Sequence, residues 1–189
     1  MYGSSPNGIA LNLDIPLDQA KGLIDLYFKA FPLIKTYVDN THAMAKENGY
    51  VVTPFGQRKM EFGATELFEG TAAYNGCLRN SQNVRVQSTT STFGMMCFAE
   101  LNLAIKQYRA KSLCTVYDSI ELEVPIEHAA VVLELAFVHL NDNPVKVFDW
   151  LDLPVGVDAE IGLNWGDAGH INRGATQEEI EKKYASWIN

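Results

Sequence analysis

Residues 113–124 have the sequence LCTVYDSIELEV, in which two apolar runs flank a short polar turn at Asp118-Ser119. Apolar runs on both sides of a polar pair predict a β-hairpin with the turn at its tip. An aspartate in such a turn is most often only a turn residue, because its side chain bonds locally and tolerates a left-handed backbone. The surrounding pattern must therefore decide whether Asp118 carries chemistry.

The first half of the chain has the apolar spacing of helices. Apolar residues recur at helical intervals over residues 17–31, 33–47 and 83–108. Pro32 predicts a break between the first two helices, and Gly49 predicts the end of the second. The spacing therefore predicts three helices before the hairpin.

Shorter elements complete the pattern. Residues 50–56 predict a small hairpin, and the acidic stretch 61–75 predicts a loop with a helical turn. Residues 126–140 predict an amphipathic helix. Alternating apolar residues then predict a final strand, and these are Leu153, Val155, Val157, Ala159 and Ile161. Strands and a helix after a helical first half favour an α+β fold.

The chain has 189 residues, of which 47% are hydrophobic and 20% charged, as in one globular domain or two small subdomains. It lacks an apolar run of about 18 residues and a secretory signal pattern. The sequence therefore predicts no membrane partner and a cytoplasmic location, which is the host cytoplasm for a viral protein. Its three cysteines form no CxxC pair and its histidines lack zinc-ligand spacing, so reduced thiols and no zinc site are expected.

The net charge of −8 argues by itself against a nucleic-acid partner. The charge is unevenly distributed, because residues 118–189 carry fourteen acidic side chains against four basic ones. Residues 76–117 carry only Glu100 against five bases, which are Arg79, Arg85, Lys106, Arg109 and Lys111. Such a stretch can neutralise phosphates, although charge alone leaves a solvated helix surface equally open.

The segment 116–124 resembles motif C of the family A (polymerase I-like) DNA polymerases, in which an apolar strand ends in His-Asp-Glu and a second apolar strand follows. Other segments resemble the same family in the same order, and the resemblance covers residues 2–170. They are Tyr2-Gly3 with Ile9-Ala10-Leu11, the stretch YFKAFP at 27–32, GYVVT at 49–53 with Gly56-Gln57-Arg58, the series Arg79, Asn83 and Gln87, and Asn164-Trp165 with His170.

The resemblance implies a helical fingers portion together with an antiparallel palm sheet, which contains the motif C hairpin and packed helices. Residues 1–85 would form the C-terminal part of the fingers and residues 86–170 that of the palm. Residues 171–189 would form an additional tail. The stretch Thr176-Gln177-Glu178-Glu179 has the pattern of a capping box and predicts a short helix there.

The resemblance also implies roles for individual residues. Asp118 would be the catalytic aspartate and would help to hold two Mg2+ ions, shared with a motif A aspartate that this sequence lacks. Tyr2 and Gly3 would line the pocket for the incoming nucleotide and the template base. Contacts to primer-template DNA would come from Arg58, Arg79, Asn83, Gln87 and Tyr117. The spacing of four places residues 79, 83 and 87 on one helical face, which a solvated helix stripe would also show.

Two positions beside Asp118 depart from the family pattern. Tyr117 stands where the family has histidine, and its hydroxyl can still donate a hydrogen bond. Ser119 stands where the family has glutamate and brings no carboxylate. Glu121 and Glu123 lie two and four residues further along the same strand face and are the candidates to replace it.

The sequence also lacks the motif A aspartate, the thumb and most of the fingers helix with its Lys and Arg. We therefore expect no polymerisation by this chain alone, and we expect primer-template DNA, dNTP and a second chain carrying those parts as partners. A split polymerase of phage type, an expressed fragment and a decayed remnant are the three explanations. The alternative function is that of a non-catalytic nucleic-acid-binding or structural protein that kept the fold.

Overall fold

The computed structural model describes residues 4–188, with the side chains of residues 4–186. The chain divides into two compact units, Met1–Thr90 and Ser91–Asn189. The subdomain boundary expected between residues 85 and 86 lies close to this division. The assignment of the units to fingers and palm, and of residues 171–189 to an added tail, stays a prediction.

The first unit begins with three helices, α1 (Pro6–Leu13), α2 (Leu17–Ala30) and α3 (Pro32–Asn48). The Ser5 hydroxyl accepts a hydrogen bond from the Gly8 N–H at 3.2 Å and caps the start of α1. Pro32 lies in the first turn of α3, where its missing N–H costs nothing. Gly49 ends α3 at φ 71°, a left-handed conformation that glycine adopts without strain. The predicted break and helix end are confirmed.

A small hairpin follows, formed by β1 (Tyr50–Val52) and β2 (Arg58–Met60), and then the short helix α4 (Gly63–Glu66). The long helix α5 (Ala72–Ile105) begins well before residue 83, so the prediction of a loop as far as residue 75 was wrong. Thr71 explains the early start, because its hydroxyl accepts a hydrogen bond from the Tyr74 N–H at 3.2 Å.

The core of the first unit joins α3, β1, α4 and the beginning of α5. Its buried residues are Ala45, Val51, Ala64, Tyr74 and Leu78. The guanidinium of Arg85 in α5 reinforces this packing, since its Nε donates to the Val52 carbonyl at 2.7 Å and its Nη1 to the Thr41 hydroxyl at 3.0 Å. Thr41 is fully buried. These bonds make Arg85 a structural residue of this unit.

In the second unit a 3-10 turn (Lys106–Tyr108) leads into a second hairpin, formed by β3 (Lys111–Val116) and β4 (Ser119–Glu123). A 3-10 turn (Ile126–His128), helix α6 (Ala129–Phe137), a π-helical turn (Val138–Asp142) and helix α7 (Pro144–Val147) follow. The helix expected at 126–140 is therefore present, with a tighter turn at its start and a wider one at its end. The buried core of this unit contains Leu101, Ile105, Ala110 and Val132.

The C-terminal part contains β5 (Ala159–Gly162), β6 (Ala168–Ile171) and helix α8 (Gln177–Ile188). The strand expected from residue 153 was wrong in its first half, where Pro154 cannot donate to a ladder and Gly156 adds no side chain to pack. The capping box is present, because the Thr176 N–H donates to Glu179 Oε2 at 2.8 Å and the Glu179 N–H to Thr176 Oγ1 at 3.3 Å.

Helix α8 packs on α6. Ile180 is fully buried, and Gln177 accepts from the Ala130 N–H and donates to the Ile126 carbonyl. Before the helix, Arg173 forms ion pairs with Glu134 and Asp142, each with 2.6 Å between nitrogen and oxygen. Hydrogen bonds from Arg173 lower the pKa of Asp142 to about 2.

The six strands of the described residues form three separate two-stranded antiparallel sheets, β1–β2, β3–β4 and β5–β6. Helices and small antiparallel sheets together confirm the predicted α+β class. Between residues 4 and 188, no helix combines the length and apolarity needed to cross a bilayer.

Glu61 provides a test of the first core. Its side chain is buried, it accepts a hydrogen bond from Asn80 Nδ2 at 2.5 Å, and burial raises the pKa of its carboxyl group. Because the folded chain holds this proton more tightly than the unfolded chain, the free energy of unfolding should fall as pH rises above the ordinary glutamate pKa of about 4.3. Glu61→Gln removes the ionisation and keeps the acceptor oxygen.

We therefore expect Glu61→Gln to be at least as stable as the parent at pH 7, and any advantage to shrink at pH 4. Urea unfolding at both pH values measures the difference. Glu66→Gln, at an exposed position of α4, is the control and should change little at either pH. If Glu61→Gln gained more unfolding free energy at pH 4 than at pH 7, burial of the Glu61 charge would not be the cause of its effect on stability.

Candidate active site and nucleic-acid interface

The β3–β4 hairpin places Asp118 at its tip. Val116 pairs with Ser119, which leaves Tyr117 and Asp118 as the two residues of the turn. The prediction of a turn at Asp118-Ser119 was therefore wrong by one residue, because Tyr117 had been counted with the apolar strand. Asp118 itself is exposed, so its carboxylate is available to a ligand in solution.

Tyr117 has an unusual backbone for its residue type. Its φ angle is 55°, in the left-handed region, at the first central position of a two-residue hairpin turn. Glycine or asparagine is usual at the first central position of such a turn, and a bulky residue there is strained. The Tyr117 side chain is fully exposed, so no packing within the described chain repays the strain. Strain of this kind is often found at functional sites.

The two faces of the hairpin differ in character. Leu122 and Val124 pack against the core of the second unit. The opposite face carries Ser119, Glu121 and Glu123. The Ser119 hydroxyl lies 3.1 Å from the Val116 carbonyl oxygen and 3.2 Å from Glu121 Oε1, and can donate its proton to either. A carboxylate thus lies close to the tip although position 119 carries none.

A second group of candidate residues lies on α5 in the first unit. Arg79, Asn83 and Gln87 belong to one unbroken helix, where the spacing of four gives them a common face. Arg79 and Gln87 are exposed, Asn83 is half-buried, and the neighbouring residues Leu78 and Gln82 are buried against α3 and β1. Among residues 4–186, Arg79 has no hydrogen-bond or ionic partner, so its guanidinium is free to contact a ligand.

Arg58 lies in the first unit and is exposed on β2. Its guanidinium carbon lies 4.9 Å from the centre of the Tyr50 ring, which limits the conformations of the side chain. The predicted pocket residues Tyr2 and Gly3 lie outside the described residues. Tyr117 and Asp118 belong to the second unit, so the candidate residues form one group in each unit.

The basic stretch 76–117 is only partly available for phosphates. Arg85 is engaged inside the first unit. Arg109 forms an ion pair with Glu127 at 2.6 Å, and Lys111 pairs with Glu123 at 3.6 Å. Both pairs are exposed, so they contribute little to stability and can exchange for phosphate. The stretch is therefore weaker as an electrostatic surface than the sequence suggested.

The described residues contain no group of three or more His, Cys, Asp or Glu side chains that could hold a metal ion. Asp118 and the nearby Glu121 are oxygen donors of the kind that Mg2+ prefers. Their chemistry fits one side of a magnesium site, whose remaining positions water and phosphate oxygens can occupy.

Two features of the two units had no signal in the sequence, and a third had one. The strain at Tyr117 depends on the exact pairing register, and the bonds of Arg85 join residues far apart in the sequence. Only the approach of Glu121 to Ser119 had a signal, namely the spacing of two on a strand.

The sequence matches a model of the family described as DNA polymerase family A over residues 1–167. The DNA polymerase I of Chloroflexus aurantiacus is 30% identical over 176 residues, which are 92% of this chain and 18% of that protein. The thermostable DNA polymerase I of Thermus aquaticus is 28% identical over 169 residues, 87% of this chain and 19% of that protein. The chain thus spans about a fifth of the length of these relatives.

The fold also resembles a solved structure, the POL domain of Pol1 from M. smegmatis in complex with DNA primer-template and dNTP. The TM-score is 0.74 at 22% sequence identity, and the match covers 95% of this chain and 29% of that one. This likeness concerns the fold.

The strain at Tyr117 can be measured. Asparagine adopts positive φ more readily than tyrosine, so Tyr117→Asn should raise the free energy of unfolding by about 0.5–1 kcal/mol. Tyr117→Phe keeps the strained backbone and should leave stability unchanged, because the side chain is fully exposed. Urea denaturation of both variants provides the measurement. Loss of stability in the Asn variant alone would show that the tyrosine is not strained.

Proposed function

This chain belongs to DNA polymerase family A, and from that premise we propose that it forms the C-terminal fingers and palm portion of a DNA-directed DNA polymerase. The observation that carries the proposal is the register of the β3–β4 hairpin, which leaves Asp118 exposed in a two-residue turn. A carboxylate exposed at the tip of a hairpin can contact the end of a primer that the strands themselves do not touch.

Asp118 is the proposed catalytic and metal-binding residue. Mg2+ keeps several waters and binds phosphate oxygens, so a site needs few protein ligands. When bound, the two ions would activate the primer 3′ hydroxyl and neutralise charge on the leaving pyrophosphate. Asp118 would provide one anchoring carboxylate, and a second aspartate would come from a segment outside these 189 residues.

Arg79, Asn83 and Gln87 are the proposed contacts to the primer-template. Purine N3 and pyrimidine O2 atoms are acceptors in the minor groove of every correct base pair. Donors that contact these atoms can therefore test the shape of a pair without reading its sequence. The exposure of Arg79 and Gln87 on one face of α5 supports this role.

The remaining candidates complete the proposal. The Tyr117 hydroxyl is fully exposed at the tip and would donate a hydrogen bond to the primer terminus, as the family histidine would. Arg58, held over Tyr50, would contact the DNA backbone. Tyr2 and Gly3 would shape the pocket for the nucleotide and the template base.

We further propose that polymerisation requires the segments that carry the thumb, motif A and most of the fingers helix. The 18–19% coverage of the relatives supports this, since four fifths of such a polymerase lie elsewhere. A second polypeptide of a split, phage-type polymerase is the arrangement that we favour. Primer-template DNA and dNTP would then be ligands of the completed enzyme.

One observation favours a different function. Ser119 removes a carboxylate from the position beside Asp118, which would suit a non-catalytic nucleic-acid-binding protein that kept the fold. Such a protein would bind DNA through the α5 face and would be insensitive to the charge of Asp118. Primer extension by the completed enzyme, measured with and without the charge of Asp118, distinguishes the two functions.

We expect Asp118→Asn to abolish magnesium-dependent primer extension and to leave DNA affinity nearly unchanged. The substitution removes a ligand charge and keeps the size of the side chain. Primer extension and fluorescence anisotropy would be measured with the enzyme completed by the missing segments. Asp152→Asn, at an exposed aspartate outside the hairpin, is the matched control and should extend normally. Extension by Asp118→Asn within a few fold of the parent would make Asp118 a turn residue without a catalytic role, and absence of extension by the parent would favour the non-catalytic function.

We expect Arg79→Ala to weaken primer-template binding by about 1–3 kcal/mol, as for loss of a direct base-edge contact. The loss should be similar for all correctly paired sequences, and discrimination against mispaired primer ends should fall. Titrations with matched and mismatched duplexes measure both effects. Arg79→Lys keeps the charge and loses the planar fork, so it should rescue little.

Stability should not change in either variant, because Arg79 is exposed. Full rescue by lysine would indicate a phosphate contact, and an unchanged affinity of Arg79→Ala would remove this helix face from the proposed interface.

A further inference from the structure

Two glutamates on the outer face of the β3–β4 hairpin have different surroundings. Glu121 is half-buried, and its Oε1 atom lies 3.2 Å from Ser119 Oγ. Glu123 is exposed and forms an ion pair with Lys111 on the opposite strand, at 3.6 Å. Glu121 has no cationic partner among the described residues, so its charge is not neutralised within the hairpin.

The contact with Ser119 holds the Glu121 carboxylate on the side of the turn. Glu121 pairs with Cys114, whereas Ser119 pairs with Val116 directly beside the turn. Because Glu121 Oε1 lies at hydrogen-bond distance from Ser119 Oγ, its carboxylate reaches toward the pair that adjoins Asp118. Glutamate has the length for this reach, and the short serine side chain leaves space for it.

We infer that Glu121 supplies, next to Asp118, the carboxylate that the family pattern places at position 119, and that the Ser119 hydroxyl positions it. This inference rests on the proposed function, since it takes Asp118 as a metal-binding residue. Moving the carboxylate two residues along the strand keeps it on the same face of the hairpin. The negative charge near the tip is thereby retained although Ser119 is neutral.

Mn2+ can test the inference without turnover. The 189-residue chain would be titrated with Mn2+, and paramagnetic broadening of its backbone amide signals would locate the ion and give its apparent Kd. We expect selective broadening around residues 116–121. Glu121→Gln should weaken binding about tenfold, a typical effect of losing a group that supports a metal site. Ser119→Ala should weaken binding less, because Glu121 remains but is no longer held.

Two further variants make the test specific. Glu123→Gln removes the same charge from the same strand face and should leave Mn2+ binding unchanged, because Glu123 is paired with Lys111. The double variant Ser119→Glu, Glu121→Gln moves the carboxylate to the family position and should restore binding. Dispersed amide spectra would show that each variant is folded.

The outcomes separate this inference from the proposed function. Equal losses in Glu121→Gln and Glu123→Gln, or no loss in Glu121→Gln while Asp118→Asn abolishes binding, would overturn the inference alone. Failure of the double variant to regain binding would also contradict it. No selective broadening in the parent chain would also overturn the inference alone, because the proposed metal site takes a second aspartate from another segment. Broadening at the hairpin that survives Asp118→Asn would count against the metal site of the proposed function and against this inference with it.

Discussion

The register of β3 against β4 is the constraint on which the candidate site of the second unit depends. Val116 pairs with Ser119, so the turn contains only Tyr117 and Asp118. A slip of one residue would turn Leu122 toward solvent and would move the tip away from Asp118. Packing of Leu122 against the core opposes this slip. The position of the candidate catalytic residue is thus fixed by residues that take no part in chemistry.

Much of the fold could be predicted because it depends on local periodicity. The helices α2 and α3, their break at Pro32 and the hairpin around Asp118 all have signals within a few residues. The first turns of α5 were missed because polar residues and Gly76 obscure the apolar spacing there, while the bond between Thr71 and Tyr74 starts the helix. The last strand was predicted to begin too early, at Leu153 before Pro154. Alternation of apolar residues alone does not show which residues pair with another strand.

The candidate site was predictable in part for the same reason. Residues four apart on a helix share a face whatever the rest of the chain does, so the common face of Arg79, Asn83 and Gln87 follows from spacing. The bonds from Arg85 to Val52 and Thr41 join residues more than thirty positions apart, and no local pattern reports them. Arg85 was therefore counted from the sequence among five bases that could neutralise phosphates, and in the fold it is a structural residue.

The two faces of the hairpin also explain how the site can differ from the family pattern while the fold persists. The inner face carries Leu122 and packs on the core, so substitutions there change stability. The outer face carries Ser119 and Glu121 and meets solvent. A carboxylate can therefore move from one outer position to the next without a change of register or packing. The backbone can stay the same while outward side chains change, because successive side chains of a strand point to opposite faces.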